Sequence, residues 1–227
     1  MKYLVVLILS GFIASPVISQ QSYHRGGVYN YLLYIPGEPP AGTGYPLLIF
    51  LHGSGERGED PELLKTHGPP SFLDDTSGFP FMVVSPQCPS GKNWKARDLI
   101  RLLDEIEDLY AVDKDRIYIT GLSSGGNATW NMAMKAPHRF AAIAPICGKI
   151  NARRACKLRH LPVWVFHGAL DNVHDHKHSD ELVAALKACG GQVRYSLYPD
   201  VDHFAWVPAY KDAGLYKWFL QQRKNHE

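Results

Sequence analysis

The chain has 227 residues, with 24 Lys and Arg against 22 Asp and Glu, and 45% of its residues are hydrophobic. This length and apolar content suit one globular domain with a sizeable core, and they exclude a disordered, collagen-like or coiled-coil chain. The formal net charge of +2 is spread along the sequence. Neither a basic stripe for nucleic acid nor a polybasic run for anionic lipid is therefore predicted.

The first residues have the pattern of an export signal. A short positive start precedes an apolar run over residues 3–13, and small or tolerated residues follow up to Ser19. We expect cleavage after Ser19, which assigns residues 1–19 to a signal peptide and residues 20–227 to a single catalytic domain, secreted or periplasmic. A membrane anchor would need about 20 continuous apolar residues, and Ser10 interrupts this run early.

The cysteines leave their bonding state open. Export permits disulfides, and four cysteines allow three complete pairings. Free thiols buried as small hydrophobic side chains are equally compatible with the sequence. Their spacings match no zinc template, and one pair, Cys147 and Cys156, is close enough in sequence to close a small loop. The four are Cys88, Cys147, Cys156 and Cys189.

Strand-like and helix-like segments alternate from end to end. Short apolar runs bounded by Pro or Gly are typical of strands buried on both faces of a parallel sheet, and they occupy residues 47–51, 81–84, 117–120, 141–146, 163–166 and 193–198. Helical spacing of apolar side chains predicts helices over residues 99–110, 127–135, 180–189 and 215–223. Residues 28–35 predict an edge strand, and Ser179 is a candidate helix N-cap. The alternation predicts an α/β fold with a doubly wound, mostly parallel sheet.

In such a sheet the ligand crevice lies outside the carboxyl ends of the strands. The strand at residues 117–120 is followed by Gly121-Leu122-Ser123-Ser124-Gly125 and then by a helix pattern. A G-x-S-x-G turn between strand and helix presents a serine nucleophile, and its glycines give room beside neighbouring backbone. Ser123 is therefore the candidate nucleophile, with a plain Gly-Ser turn as the alternative.

A serine hydroxyl is a weak nucleophile and needs a base and a group that orients the base. Asp171 stands just past the end of one predicted strand, and His203 stands past the end of the next. The chain order Ser, Asp, His is that of the α/β hydrolases. Ser123, Asp171 and His203 are therefore predicted as catalytic residues.

Rival acids and other histidines are close in sequence to this set. Asp200 and Asp202 lie on the loop that contains His203, where carboxylates more often cap turns. The third rival acid, Asp175, lies deeper in a loop. His52 and His167 each end a strand and are interpreted as buried, hydrogen-bonded scaffold. His174, His176 and His178 form a run of alternating histidines, a pattern that suggests a metal site. A solvated loop is the favoured interpretation.

An oxyanion hole requires backbone N–H groups aimed at the developing negative charge. The glycine-rich segment that follows the strand at residues 47–51 supplies one donor, assigned to Ser54 with Gly55 as the alternative. The N–H of Ser124 is assigned as the other donor. Trp94 and Trp206 are candidate substrate-binding side chains, with core positions as the alternative.

The segments FLHGSGERG, VSPQCP, GLSSGG, VWVFHGALDNV and LYPDVDHFAW occur in this order along the chain. They make it similar to the small secreted bacterial esterases of the α/β-hydrolase superfamily, the dienelactone-hydrolase-like and feruloyl-esterase-like proteins, which are often labelled predicted peptidases or phospholipase/carboxylesterases. The resemblance implies ester hydrolysis by Ser123, Asp171 and His203 without a cofactor. Residues 174–178 depart from the usual pattern, in which Pro and small polar residues are more frequent.

The favoured function is a serine esterase that forms an acyl-enzyme and acts on short-chain, acetyl or feruloyl esters, including those on polysaccharides. The alternatives are a serine peptidase of the same fold, a catalytically silent binding module and a metal-dependent enzyme. Larger esterases insert a cap where residues 147–162 stand here, so the sequence predicts a minimal fold without a cap domain. Nucleic acid and, after signal cleavage, membrane are not expected partners, and the oligomeric state is left open.

Overall fold

The computed structural model of the chain describes residues 20–39 and 42–224. The predicted signal peptide therefore lies outside the described residues. Within these ranges the strands are β1 Ser22–His24, β2 Tyr31–Tyr34, β3 Tyr45–Leu51, β4 Met82–Pro86, β5 Val112–Leu122, β6 Ala142–Ile146, β7 Val163–Gly168 and β8 Val193–Tyr198. The α-helices are α1 Ala96–Leu109, α2 Ser124–Lys135, α3 Lys177–Ala188, α4 Trp206–Lys211 and α5 Ala213–Leu220.

All the strands belong to one sheet, in the order β1-β2-β4-β3-β5-β6-β7-β8. The strands from β4 to β8 pair in parallel, whereas β1 and β2 are antiparallel at one edge. Every residue of β3, β4, β6 and β7 is buried, which explains their continuous apolar sequences. The prediction of a doubly wound, mostly parallel sheet is confirmed.

Helices cover both faces of this sheet. The first helix buries residues at helical spacing against one face, including Leu102 and Ile106, and the next contributes the fully buried Trp130. On the other face Trp206 and Phe219 pack over β-sheet side chains. Burying one such Leu, Ile or Phe side chain stabilises the fold by about 1.5–3 kcal/mol.

Two predictions about local structure are wrong. The edge strand is β1 rather than residues 28–35, because β2 is fully buried as the second strand. Ser179 is not a helix cap: α3 begins at Lys177, and Ser179 lies buried within it. The Ser179 hydroxyl faces the neighbouring strand β7 instead of the N-terminus of the helix.

The segment between β6 and β7 contains one 3₁₀ helix, Ala152–Leu158, and no inserted domain occurs in the described ranges. A disulfide joins Cys156 of this segment to Cys189 at the end of α3. Cys88 and Cys147 are free and buried, so the short loop from Cys147 to Cys156 is not closed. None of the helices described is long and apolar enough to cross a membrane.

Candidate active site

Ser123 occupies the sharp turn between β5 and α2. Its backbone has φ 52° and ψ −115°, a left-handed conformation that side chains other than glycine adopt only under strain. A Cβ on Gly121 would lie 2.6 Å from the Gly125 carbonyl oxygen, and a Cβ on Gly125 would collide with the Leu51 carbonyl. Glycine is therefore required on both sides, because the backbone of β3 lies directly against the turn.

His203 bridges Ser123 and Asp171. Its Nε2 lies 2.9 Å from Ser123 Oγ, and its Nδ1 lies 2.7 Å from Asp171 Oδ2. An ionised carboxylate only accepts hydrogen bonds, so Nδ1 carries the proton and Nε2 is free to accept from the serine hydroxyl. The His203 side chain is 12% exposed and that of Asp171 is fully buried. The serine end of this chain of hydrogen bonds is thus the end that faces solvent.

The Asp171 carboxylate has several donors around it. Oδ1 accepts the backbone N–H groups of Val173 at 2.9 Å and of His174 at 2.8 Å. Oδ2 lies 3.1 Å from Nε2 of a second histidine, His167, in addition to His203. Burial raises the pKa of Asp171, but the hydrogen bonds from His203 and the two backbone N–H groups outweigh it and hold the pKa below its ordinary value. The carboxylate is therefore held in its charged form.

His167 is fully buried at the end of β7, as the sequence indicated. Its Nδ1 lies 2.7 Å from Ser179 Oγ, and its Nε2 lies 2.8 Å from the His174 carbonyl oxygen. Nε2 faces a carboxylate and a carbonyl, which are both acceptors, so Nε2 carries the proton. Burial lowers the pKa of His167 and keeps the ring neutral. Its contact with Asp171 was missed by sequence reasoning.

The rival acids lie elsewhere. Asp175 is exposed and forms an ion pair with Lys177 at 3.5 Å. Asp202 accepts the Phe204 backbone N–H at 3.0 Å, the turn-capping role expected of a carboxylate in this loop. Asp200 is exposed in the same loop. Asp171 is therefore the acid that the structure brings to His203.

Ser54 and Ser124 lie at the same end of two paired strands. Leu51 of β3 is opposite Gly121 of β5, so the segments that follow both strands leave the sheet together. Ser124 is the first residue of α2, where backbone N–H groups have no intrahelical partner and the helix dipole favours negative charge. These N–H groups are suited to bind an oxyanion.

His52 fixes the backbone that precedes Ser54. Its Nε2 accepts the Cys88 backbone N–H at 2.9 Å, and its Nδ1 lies 2.6 Å from the Gly53 carbonyl oxygen. Because Nε2 accepts, Nδ1 carries the proton and donates to Gly53. The buried ring therefore ties the segment after β3 to the segment after β4.

Comparisons with known proteins agree with this architecture. Residues 90–164 match the prolyl oligopeptidase family. A bifunctional acetylxylan esterase/xylanase of Neocallimastix patriciarum is 29% identical over 188 residues, which are 75% of this chain and 27% of that protein. A thermostable esterase of known structure is 30% identical with a TM-score of 0.77, over 91% of this chain and 63% of that one. The chain therefore has the α/β-hydrolase fold.

A feruloyl esterase module from Clostridium thermocellum shares the fold of this chain at 15% identity, with a TM-score of 0.67 over 100% of this chain and 99% of that one. The chain spans only 27% of the length of the acetylxylan esterase/xylanase. The predicted resemblance to esterases of this superfamily is confirmed by these neighbours.

The two tryptophans that were predicted to bind substrate differ in position. Trp206 begins α4, is 5% exposed, and meets the His203 ring edge-on with ring centroids 5.3 Å apart. Trp94 packs behind the segment after β3, with its ring 4.8 Å from that of His52 and its Nε1 donating to the His52 carbonyl at 3.3 Å. Trp206 therefore packs against the candidate base His203, and Trp94 packs behind the segment that contains Ser54.

An exposed apolar rim beside the triad was not found from the sequence. It consists of Leu170, Val173 and Phe204, which are 61%, 61% and 51% exposed. The rings of Phe204 and Trp206 lie 4.8 Å apart. Each rim residue stands one or two positions from Asp171 or His203. The sequence signal that could have revealed the rim was therefore an apolar side chain in a loop beside a predicted catalytic residue.

The histidine run forms no shared site. His174 Nδ1 lies 2.8 Å from the Cys147 carbonyl oxygen, whereas His176 Nδ1 lies 3.0 Å from Asp180 Oδ2. His178 faces a separate cavity on α3. Among the described residues, the clustered metal-type ligands do not include any of the three. The run therefore offers no converging set of ligands.

Proposed function

We propose that this α/β hydrolase is a serine esterase that cleaves carboxylic esters through an acyl-enzyme. The observation that carries the proposal is the His203 imidazole held between Ser123 Oγ and Asp171 Oδ2. The similar proteins described above, an acetylxylan esterase, a thermostable esterase and a feruloyl esterase, support an ester as the bond that is cleaved.

In the first half of the reaction Ser123 Oγ attacks the ester carbonyl carbon while its proton passes to His203 Nε2. The Asp171 carboxylate stabilises the imidazolium that forms. The oxyanion of the tetrahedral intermediate accepts hydrogen bonds from the N–H groups of Ser54 and Ser124, donors that are oriented before the charge develops. Collapse of the intermediate breaks the bond to the alcohol oxygen, which takes the proton from His203.

In the second half water replaces the alcohol. His203 removes a proton from this water as its oxygen attacks the acyl carbon, and Ser123 leaves with the proton returned from His203. The carboxylic acid then departs, and the hydroxyl of Ser123 is restored. One water is consumed for each ester bond that is cleaved.

The surroundings of the triad favour short or compact acyl groups. The rim of Leu170, Val173 and Phe204 is open to solvent, and residues 147–162 carry no inserted domain to cover it. Each CH₂ of a long chain left in water forfeits about 0.8 kcal/mol of transfer free energy. An acetyl group needs no such cover, and a feruloyl ring can pack on Phe204, with the ester projecting from a plant polysaccharide.

Export of the enzyme is part of the proposal. Residues 1–19 would act as its signal peptide and give a secreted or periplasmic enzyme. The Cys156–Cys189 disulfide supports this location, because disulfides persist in oxidising compartments.

A peptidase is the second candidate, favoured by the match of residues 90–164 to the prolyl oligopeptidase family. An acyl-amino-acid 4-nitroanilide and the corresponding 4-nitrophenyl ester share the acyl group and differ in the bond cleaved. A higher kcat/KM for the anilide would select the peptidase, and a higher value for the ester selects the esterase.

The esterase is tested with methyl ferulate and with 4-nitrophenyl acetate, butyrate and palmitate. We expect wild-type protein to hydrolyse the acetate, the butyrate or methyl ferulate, and kcat/KM to fall toward palmitate. Ser123→Ala should abolish hydrolysis, whereas Ser77→Ala, at an exposed serine outside the site, should retain it. Equal activity in the Ser123→Ala variant would contradict the proposal, and a steady rise toward palmitate would contradict the open site.

A further inference from the structure

Residues 149–160 depart from the even spread of charge along the chain. This basic segment carries no Asp or Glu and holds five cations, leaving 19 Lys and Arg against 22 Asp and Glu in the rest of the chain. Its apolar members Ala155 and Leu158 are buried, whereas the cations are exposed; these are Lys149, Arg153, Arg154, Lys157 and Arg159. In the described part of the chain none of the five pairs with a carboxylate.

The basic segment is held beside the catalytic serine. The Lys149 backbone N–H donates to Asn127 Oδ1, and the Asn127 N–H donates to the Ser123 carbonyl at 3.0 Å, one turn along α2. At its other end the disulfide from Cys156 to Cys189 fixes the segment to α3. The backbone of the segment is therefore fixed at two places, and its Lys149 end is the one tied to the helix that follows Ser123.

Two cavities flank the basic segment. One has a volume of about 510 Å³ and is lined by Lys149, Arg153 and His178, with Glu181 as its carboxylate. The other has a volume of about 740 Å³, and Lys157 contributes to a lining that holds no carboxylate among the described residues. Both volumes are within the range of ligand pockets, about 300–1,000 Å³. The first cavity lies at the end of the segment that is tied to α2, whereas the second lies where β6, β7 and β8 begin, at the edge of the sheet opposite Ser123.

We propose that the basic segment and the cavity lined by Lys149 and Arg153 bind the carboxylate-bearing sugars of an acidic polysaccharide whose ester is cleaved at Ser123. This inference rests on the proposed esterase function and specifies its substrate class. Arginine pairs with carboxylates through two parallel hydrogen bonds, and lysine through a point charge. Five exposed cations along one segment suit a polymer with repeated carboxylates better than a single small anion.

A polysaccharide fits this surface better than a nucleic acid does. The remainder of the chain is net acidic, and a duplex with about one negative charge per 1.7 Å of its axis would be repelled beyond the basic segment. A polyuronate carries one carboxylate per sugar, so its lower charge density matches a short cationic track. The basic segment is also tied to the helix that begins after Ser123.

Binding is measured by affinity electrophoresis in gels with polygalacturonate or with its carboxyl-reduced, neutral counterpart, at low and high salt. We expect the wild type to bind polygalacturonate more tightly than the neutral polymer, and salt to weaken the binding.

The double variant K149Q/R153Q should bind polygalacturonate about tenfold more weakly than the wild type. The control R101Q/K135Q removes two exposed cations from α1 and α2 and should bind as the wild type. E181Q, which removes a carboxylate from the cavity, should bind more tightly.

Equal binding of both polymers, or equal weakening in K149Q/R153Q and the control, would overturn the inference. Tighter binding of duplex DNA or phosphatidylglycerol vesicles than of polygalacturonate would also overturn it, in favour of that polyanion. These measurements use a polymer without esters and need no catalysis. Hydrolysis of 4-nitrophenyl acetate by the wild type tests the esterase separately, so the two proposals can fail independently.

Discussion

The Nε2 atom of His167 lies 3.1 Å from Asp171 Oδ2, the oxygen that also accepts from His203. The fully buried imidazole of His167 and the partly exposed imidazole of His203 therefore share one carboxylate oxygen. His167 is itself oriented by the Ser179 hydroxyl, 2.7 Å from its Nδ1, so it presents Nε2–H to Asp171. In the proposed mechanism we therefore assign His167 as a positioning residue that acts only through Asp171.

Two substitutions of His167 distinguish its role as a hydrogen-bond donor from its role in filling space. In His167→Leu the carboxylate loses a charge-assisted hydrogen bond, and we expect kcat for 4-nitrophenyl acetate to fall about tenfold with little change in KM. His167→Gln keeps an N–H donor near the same position and should retain most of the activity. Equal losses in the two variants, with intact folding by circular dichroism, would show that His167 only fills space.

The choice of acid is tested by a matched pair of substitutions. Asp171→Asn replaces the acceptor that holds Nδ1–H of His203, so kcat should fall by several orders of magnitude. Asp175→Asn changes an exposed carboxylate paired with Lys177 and should leave kcat within about twofold of the wild type. Steady-state kinetics with 4-nitrophenyl acetate measure both, and the reverse ranking would assign the acid to Asp175.

Asp171 also makes stability depend on pH. Burial raises its pKa, yet hydrogen bonds from His203 and the backbone hold the pKa below the ordinary value. Such a carboxyl stabilises the fold above its unfolded pKa of about 3.9, and this contribution is lost as pH falls toward the folded pKa. In urea titrations the free energy of unfolding should therefore fall more steeply from pH about 5 to about 2 in the wild type than in Asp171→Asn. Parallel curves would contradict this.

The close approach of β3 to the turn at Ser123 predicts a strong requirement for glycine. A Cβ on Gly125 would collide with the carbonyl oxygens of Leu51 and His52, whereas a Cβ on Gly55 meets no atom within 4 Å. Gly125→Ala should lower stability by several kcal/mol or prevent folding, and Gly55→Ala should change it by less than about 1 kcal/mol. Thermal unfolding distinguishes them, and an equal Tm for both would show that the turn can shift.

The sheet could be predicted from the sequence to the extent that its strands are buried on both faces. Strands such as β3 and β7 are continuous apolar runs between Pro and Gly, and this pattern predicts a buried strand. The edge strand β1 has three residues with little burial, so no periodicity marks it. The six residues of α4 are too few for an amphipathic pattern.

The candidate catalytic residues were predictable because parallel strands end at one edge of the sheet. Ser123, Asp171 and His203 each follow a strand that ends there, so their order along the chain implied proximity. The contact between His167 and Asp171 depends on how the loop after β7 turns back, which no sequence pattern records. The Cys156–Cys189 pairing likewise depends on how the basic segment packs against α3.

The most direct test of the proposed esterase is covalent labelling by a fluorophosphonate, which phosphonylates a serine only when a neighbouring base activates it. Intact-mass and peptide mass spectrometry should find one label, on Ser123, in the wild type. Ser123→Ala should remain unlabelled, and His203→Ala should be labelled far more slowly. Labelling at a different serine, or undiminished labelling in the Ser123→Ala variant, would contradict the account.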